Sequence, residues 1–125
     1  MRVLNIQNII LFHEKIIKET GGSTGIRDRG LIESALDRAF ATYDGVDLYP
    51  SVVEKISVIA HSLISNLGFI DGNKRIGVAA MIMLLKINNI TIYYSQQELI
   101  DLGIGAAEGS MNEKDILNWI NERVG

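Results

Sequence analysis

The segment that decides the fold reads Phe69-Ile70-Asp71-Gly72-Asn73-Lys74-Arg75, directly before the longest apolar run of the chain, Ile76 to Leu85. Asp-Gly-Asn favours a turn, and Gly72 permits backbone angles that other residues avoid. From Asn73 the pattern is that of a helix, and from Val78 to Leu85 it is apolar on every side, which is typical of a helix at the centre of a bundle. The sequence therefore predicts a loop held rigidly by a buried helix.

Helical periodicity continues before this segment. A first amphipathic helix ends near Thr20-Gly21-Gly22, and a second begins near Asp28 with an apolar stripe that extends to Phe40. A third helix begins at Ser51, which has capping-box spacing with Glu54, and runs to about Asn66.

Two more capping boxes follow the segment, Ser95 to Glu98 and Ser110 to Glu113, and each predicts a helix start. Trp119 lies on the apolar side of the last helix and is expected in the core. Between them, Ile90 to Tyr94 is β-branched and aromatic, which favours a short strand, with Arg2 to Leu4 as its predicted partner. We predict an all-α bundle of about six helices with a minor β-strand pair.

Composition narrows the classes of protein. The 125 residues suit a single domain, residues 1–125, and the absence of cysteine excludes disulfides and thiolate metal sites. A formal net charge of -3 disfavours direct nucleic-acid binding. The longest apolar run is too short to span a bilayer and the N-terminus has no signal-peptide pattern, so we expect a cytoplasmic protein without membrane contact.

The start of the helix after Gly72 is a candidate anion site. The first backbone N–H groups of a helix have no intrahelical partners and lie at the positive end of its dipole. Gly72, Asn73, Lys74 and Arg75 bring such donors together, and the last two add positive charge. Asp71 is placed to hold Mg²⁺ against bound phosphates. The competing interpretation is an ordinary surface turn followed by solvated charges.

The same segment resembles the core of the Fic-domain signature, His-Pro-Phe-x-Asp/Glu-Gly-Asn-Gly/Lys-Arg. Further stretches that look like Doc-type proteins, in the right order along the chain, are Gly21 to Asp28, Gly30 to Leu36, Leu48 to Pro50, Ala107 to Gly109 and Ile116 to Ile120. The adenylylating branch has Gly where this chain has Lys74 and Arg where it has Val78. The chain therefore resembles the death-on-curing (Doc) branch of the Fic/Doc family.

This resemblance implies a toxin of a toxin–antitoxin system, which transfers a phosphoryl group from ATP with Mg²⁺ to a threonine of elongation factor Tu. It also implies a cognate antitoxin that silences the toxin. Gly72 and Asn73 would form the phosphate cradle, Asp71 would bind the metal ion, and Lys74 and Arg75 would stabilise charge during transfer.

The resemblance fails where the signature has His-Pro, because this chain has Leu67 and Gly68 there. The motif His is a general base, and loss of such a base typically costs about 10²–10⁴-fold in rate. His61, six residues before Leu67, would lie about 9 Å along the helix and about 240° around it, so it is a poor substitute. His13 is interpreted as a packed or capping histidine of the first helix.

Three interpretations of Leu67 are open: the native residue of an impaired enzyme, an introduced inactivating change, or a residue in a reaction that needs no strong base. Gly68 weakens the second interpretation, because inactivation needs only one change. The alternative function is a non-catalytic regulator of the Fic/Doc type that binds nucleotide or antitoxin. The segment from Gly21 to Arg29 is expected near the site in either case.

Overall fold

The computed structural model describes every residue from Met1 to Gly125. It contains six α-helices, one short 3₁₀ turn and one two-stranded hairpin. Their bounds are α1 (Ile6–Thr20), α2 (Arg29–Asp37), the 3₁₀ turn (Arg38–Phe40), β1 (Thr42–Tyr43), β2 (Val46–Asp47), α3 (Val52–Ser65), α4 (Asn73–Ile87), α5 (Gln96–Glu108) and α6 (Glu113–Asn121). The predicted all-α bundle with a minor strand pair is confirmed. None of the helices combines the length and apolar character that crossing a bilayer requires.

Five of the six α-helices begin at a side chain that accepts a hydrogen bond from their first turn, as good N-caps do. These capping residues are Asn5, Asp28, Ser51, Ser95 and Asn112. Helix α4 differs, because it begins after Gly72, which has no side chain and a left-handed φ of 78°. The first turn of α4 therefore has no side-chain cap.

One predicted cap is wrong. The box from Ser95 to Glu98 is confirmed with both of its hydrogen bonds, but α6 does not begin with a box from Ser110 to Glu113. Asn112 and Asp115 cap that helix reciprocally instead. They have the same spacing two residues later and satisfy the same kind of N–H groups, so the helix begins after Asn112.

A cluster of 22 buried apolar residues forms the core, and Trp119 belongs to it as predicted. Helix α3 is the most enclosed element and packs against α2, α4, α5 and α6. The prediction that α4 lies at the centre of the bundle is wrong for one of its faces, because Val78, Ala79 and Ile82 are only half-buried and Met83 is exposed. The all-round apolar pattern of α4 thus combines a core face with the floor of an open groove.

The hairpin of β1 and β2 pairs Tyr43 with Val46 across Asp44 and Gly45, whose φ angles are 53° and 77°. Asp-Gly with two positive φ angles is typical of a tight hairpin turn. Phe40, predicted on the apolar stripe of α2, lies in the 3₁₀ turn that leads into this hairpin and is exposed. The buried part of the stripe therefore ends at Ala39, one residue before Phe40.

The predicted pairing of Ile90–Tyr94 with Arg2–Leu4 is wrong. Ile92 instead forms an antiparallel bridge with Val124, after the end of α6. The backbone N–H of Arg2 donates to the Asn88 side chain at 2.7 Å, so the N-terminal segment is held without a strand ladder.

Candidate functional site: an anion site at the start of α4

The start of α4 presents free backbone donors at one point. The Gly72 carbonyl accepts the first bond of the helix, from the Ile76 N–H at 2.9 Å. The N–H groups of Asn73, Lys74 and Arg75 have no partner within the protein. A helix start of this kind carries about half a positive charge and binds anions. A depression of ≈ 350 Å³, lined by residues 70–75, lies over it.

The Asn73 side chain holds the loop closed. Its Oδ1 accepts from the Phe69 N–H at 3.0 Å, and its Nδ2 donates to the Phe69 carbonyl at 2.9 Å. Phe69 is buried in the core and anchors the loop there. Asn73 was predicted in the anion cradle, and the structure divides its contribution: the backbone N–H is free for a ligand, whereas the side chain is used to fix the loop.

Asp71 is hydrogen-bonded through both carboxylate oxygens. Oδ2 accepts from the Ser23 N–H at 3.0 Å, and Oδ1 accepts from the Gly72 N–H at 2.8 Å. These two backbone hydrogen bonds, that of Ser23 first, hold the pKa of Asp71 below its ordinary value of 3.8. The carboxylate is therefore ionised at neutral pH.

This carboxylate fits a magnesium ion of the nucleotide-bound type. Each oxygen of Asp71 accepts one N–H and keeps a further lone pair for a cation. No group of three or more His, Cys, Asp or Glu side chains forms a metal cluster anywhere in the chain. Mg²⁺ commonly takes only one or two carboxylates and completes its shell with phosphates and water, so a single Asp is enough.

The two cations of the loop have different surroundings. Arg75 Nη1 donates to Thr20 Oγ1 and to the Gly21 carbonyl, both at 2.6 Å, so its guanidinium ties the end of α1 to α4. Lys74 is exposed and makes no salt bridge. Its stem lies over Gly103 of α5, where an added Cβ would be 3.1 Å from Lys74 Cγ. Lys74 is the free cation of the site.

The connection between α1 and α2 runs antiparallel to the loop, which confirms the expectation that it lies near the site. The Ile70 N–H donates to the Gly25 carbonyl at 3.1 Å. The Gly68 carbonyl accepts from the N–H groups of Arg27 and Asp28 at 2.8 and 2.9 Å. These bonds hold the segment against the first half of the loop, at Gly68 and Ile70.

Several of these contacts were not predicted from the sequence, among them those of Thr20 and Ser23. One signal was present, because two glycines at positions 21 and 22 indicate a close approach of backbone to another group. At Gly22, with φ of 120°, an added Cβ would lie 2.6 Å from Asp71 Oδ2 and 2.8 Å from Arg75 Nη2. Glycine is therefore required where this segment crosses Asp71 and Arg75, which form an ion pair with Oδ2 and Nη2 3.7 Å apart.

Leu67, at the position of the motif histidine, has a φ of 54° and a side chain that is 54% exposed. Left-handed backbone of this kind is enriched in Asn, Asp and His and is unfavourable for leucine. Arg27 fixes the position, because its Nε donates to the Leu67 carbonyl at 2.6 Å. His61 Nε2 lies 3.4 Å from Ser65 Oγ on its own helix, and no hydrogen bond joins it to the loop.

Gly68 departs from the signature for a steric reason. A Cβ at this position would lie 2.5 Å from Ile32 Cγ1 and 3.3 Å from the Asp28 carbonyl oxygen. A side chain at residue 68 would therefore have to displace Ile32 of α2. Gly68 thus suits the close packing of α2 against this part of the chain.

A groove of ≈ 680 Å³ lies beside the anion site, between α1, α4 and α5. Nine of its 15 lining residues are hydrophobic, three are basic (Lys74, Arg75 and Lys86), and none is acidic. Because Lys74 and Arg75 also line the depression over the start of α4, any occupant of the groove would lie next to the anion site.

Comparison with known proteins identifies the family of this chain. The sequence model of the Fic/DOC family matches residues 3–85, which include the α1–α2 connection, the loop and most of α4. The chain is 39% identical over 93 residues to Toxin Doc of Mycolicibacterium smegmatis, across 74% of this chain and 67% of that protein. It is 27% identical over 128 residues to Protein kinase doc of Escherichia phage P1, across 100% of this chain and 98% of that protein. The chain therefore belongs to the Fic/DOC family.

Proposed function

We propose that this protein is a Doc-like toxin that binds ATP at the start of α4 and transfers its γ-phosphoryl group to a protein hydroxyl, at a rate lowered by Leu67. The observation that carries the proposal is the uncapped helix start, with ionised Asp71 before it and the free ammonium of Lys74 beside it. The names of the two relatives, a toxin and a protein kinase, support the same activity.

Each part of the loop has a task in this reaction. The N–H groups of Asn73, Lys74 and Arg75 bind phosphate oxygens, and the Lys74 ammonium offsets the charge that spreads over them during transfer. Bound at Asp71, Mg²⁺ would supply further neutralisation of the phosphates. The Asn73 side chain and the α1–α2 connection keep these donors fixed, so that little reorganisation is needed.

The transfer proceeds without a base at residue 67, where the family signature has histidine. The hydroxyl oxygen of the target forms a bond to the γ-phosphorus, the bond from that phosphorus to the bridging oxygen breaks, and ADP leaves with the electron pair. The hydroxyl proton passes to solvent, because Leu67 has no lone pair to receive it. We expect a rate about 10²–10⁴-fold below that of a chain with a histidine at this position.

The family resemblance makes a threonine of elongation factor Tu the proposed target, and a target in translation implies a cytoplasmic location. The test compares the wild type, Leu67→His and Leu67→Asn with γ-labelled ATP, Mg²⁺ and elongation factor Tu. Asn is the matched control, because it relieves the left-handed backbone as His does but supplies no base. We expect Leu67→His alone to label the target rapidly.

Two results would reject parts of this proposal. Absence of label with Leu67→His would reject phosphoryl transfer to this target. Equal labelling by Leu67→His and Leu67→Asn would reject the role of residue 67 as the missing base. Growth of cells that express the three variants gives a parallel readout, in which only Leu67→His is expected to cause strong arrest.

A second candidate function, a non-catalytic regulator that only binds nucleotide or antitoxin, is favoured by one observation: the cradle is intact while the base is absent. The two candidates differ in a single result. A regulator would bind Mg-ATP in calorimetry yet remain unable to transfer label even as Leu67→His. An impaired enzyme gains transfer with that substitution.

A cognate antitoxin is the proposed partner, and the groove beside the anion site is its proposed binding surface. Apolar lining with three basic and no acidic residues complements an amphipathic helix with acidic flanks. If Leu67→His arrests growth, co-expression of the cognate antitoxin should relieve the arrest. In the Leu67→His protein, a second substitution in the groove, Met83→Glu, should prevent the antitoxin from relieving the arrest. The control substitution Leu11→Glu, at an exposed position of α1 outside the groove, should not prevent it.

Two outcomes bear on this partner. Failure of co-expression to relieve arrest by Leu67→His would reject the antitoxin, and relief that survives Met83→Glu would reject the groove as its binding surface.

A further inference from the structure

His13 of α1 is buried beneath the anion loop. Its side chain is 1% exposed and lies on the face of α1 that also buries Ile9 and Ile17. The ring is within hydrogen-bond distance of the loop, because Nε2 is 2.7 Å from the backbone carbonyl oxygen of Asp71. A carbonyl oxygen only accepts, so the proton of this hydrogen bond belongs to Nε2.

The same ring supports the loop at a second point. It stacks on the Phe69 ring, with centroids 3.8 Å apart and planes only 10° from parallel. One side chain of α1 thus contacts both Phe69, which begins the loop, and Asp71, two residues before α4. These two residues are 56 and 58 positions away in sequence, so the contact also fixes α1 against the loop.

The hydrogen bond acts on the peptide unit that determines where α4 begins. The Asp71 carbonyl and the Gly72 N–H belong to one planar peptide group. His13 holds the oxygen of this group, and Asp71 Oδ1 accepts from its N–H at 2.8 Å. Rotation of this peptide would break both bonds and change the left-handed φ of Gly72, through which the chain enters α4.

The loop fits closely against the ring. An added Cβ at Gly72 would lie 3.2 Å from His13 Nε2 and 3.0 Å from Ile17 Cδ1. Glycine is therefore needed at residue 72 for space as well as for its left-handed φ. His13 can therefore approach the Asp71 carbonyl only because residue 72 is a glycine.

We propose that His13 is a positioning residue of the anion site, which orients the Asp71–Gly72 peptide through its Nε2–H so that the first N–H groups of α4 converge on a phosphate. The proposal rests on the proposed phosphate binding at α4. The competing explanation is that His13 only fills space in the core, as its burial alone would indicate.

Three substitutions separate the hydrogen bond from packing. His13→Gln places an amide N–H₂ near the position of Nε2, and His13→Met has almost the same length and volume without a donor. His13→Phe keeps the stack on Phe69 and also lacks the donor. The probe is inorganic pyrophosphate with Mg²⁺, titrated calorimetrically into each protein, and circular dichroism gives the folded fraction before each titration.

We expect His13→Met and His13→Phe to bind pyrophosphate about tenfold more weakly than the wild type, and His13→Gln to bind within about threefold of it. A packing role predicts instead that Gln and Met behave alike at equal folded fraction. If either donor-free variant does not fold, the other still provides the comparison with Gln.

Two failures can be told apart. If the wild type binds no pyrophosphate, the proposed phosphate site is wrong, and the role of His13 falls with it. If the wild type binds and His13→Met and His13→Phe bind as tightly as it does, the site stands and His13 is a core residue only.

Discussion

Asn73→Ala should destabilise the fold although it truncates a half-buried side chain at the start of a helix. The Phe69 N–H and carbonyl have no hydrogen-bond partner other than the Asn73 side chain. In the antiparallel bridge between Ile26 and Phe69, the neighbouring residues make the backbone hydrogen bonds. Leaving a buried donor and acceptor unpaired costs about 1–3 kcal/mol each, and alanine regains less than about 0.7 kcal/mol of helix propensity. We expect a net loss of about 2–3 kcal/mol, a fall in Tm of roughly 8–12 °C for a chain of this size.

Thermal and urea unfolding followed by circular dichroism measure this loss. Asn73→Asp is the matched variant, because it keeps the acceptor for the Phe69 N–H, loses the donor, and adds a charge that the helix dipole favours. It should cost only about 1 kcal/mol, yet it should weaken pyrophosphate binding more than Asn73→Ala does, since a carboxylate would then repel the anion. If Asn73→Ala lowers the free energy of unfolding by less than about 0.5 kcal/mol, the Asn73 side chain does not hold the loop closed.

Three further predictions concern neighbouring features. Gly68→Ala should lower the free energy of unfolding by about 1–3 kcal/mol in urea titrations, because its Cβ would overlap Ile32 Cγ1, and an unchanged midpoint would contradict this packing. Leu67→Asn should raise that free energy by about 0.5–1 kcal/mol, since asparagine tolerates left-handed backbone and the leucine side chain is largely exposed; a destabilised variant would argue against strain. The pKa of Glu98 lies below its ordinary value of 4.5, because its carboxylate accepts hydrogen bonds from Arg123 first and then from the Ser95 backbone. Ionised Glu98 therefore stabilises the fold above that pH, and this stabilisation is lost as the pH falls below it. The difference in Tm between the wild type and Glu98→Gln should therefore shrink as the pH falls below 4.5, and a constant difference would contradict the pairing.

The loop and the helix that follows it could be predicted from sequence because their signals are local. Asp-Gly-Asn specifies a turn, Gly72 supplies the left-handed residue, and the apolar pattern then continues at helical spacing. The family resemblance added the identity of the motif. It also gave the correct expectation that Gly21–Arg29 lies beside it.

The contacts that fix the site could not be predicted in the same way. Those of Ser23 with Asp71 and of Thr20 with Arg75 join residues 48 and 55 positions apart, and no sequence pattern sets their register. A buried histidine that hydrogen-bonds a loop and one that only fills space in the core have the same sequence pattern. The hydrogen bond of His13 to the loop therefore could not be predicted from the sequence. The open face of α4 was not predicted, because apolar residues that line a groove and apolar residues that fill a core give the same pattern in the sequence.

The most direct test of the anion site is a calorimetric titration of Mg-ATP into the wild type, Lys74→Ala and Lys86→Ala. Lys86 is the matched control, an exposed lysine of the same helix at its opposite end. We predict that the wild type and Lys86→Ala bind alike, and that Lys74→Ala binds about 10- to 100-fold more weakly, the usual worth of a charged hydrogen bond. No binding by the wild type, or equal affinity for all three proteins, would contradict a phosphate site at the start of α4.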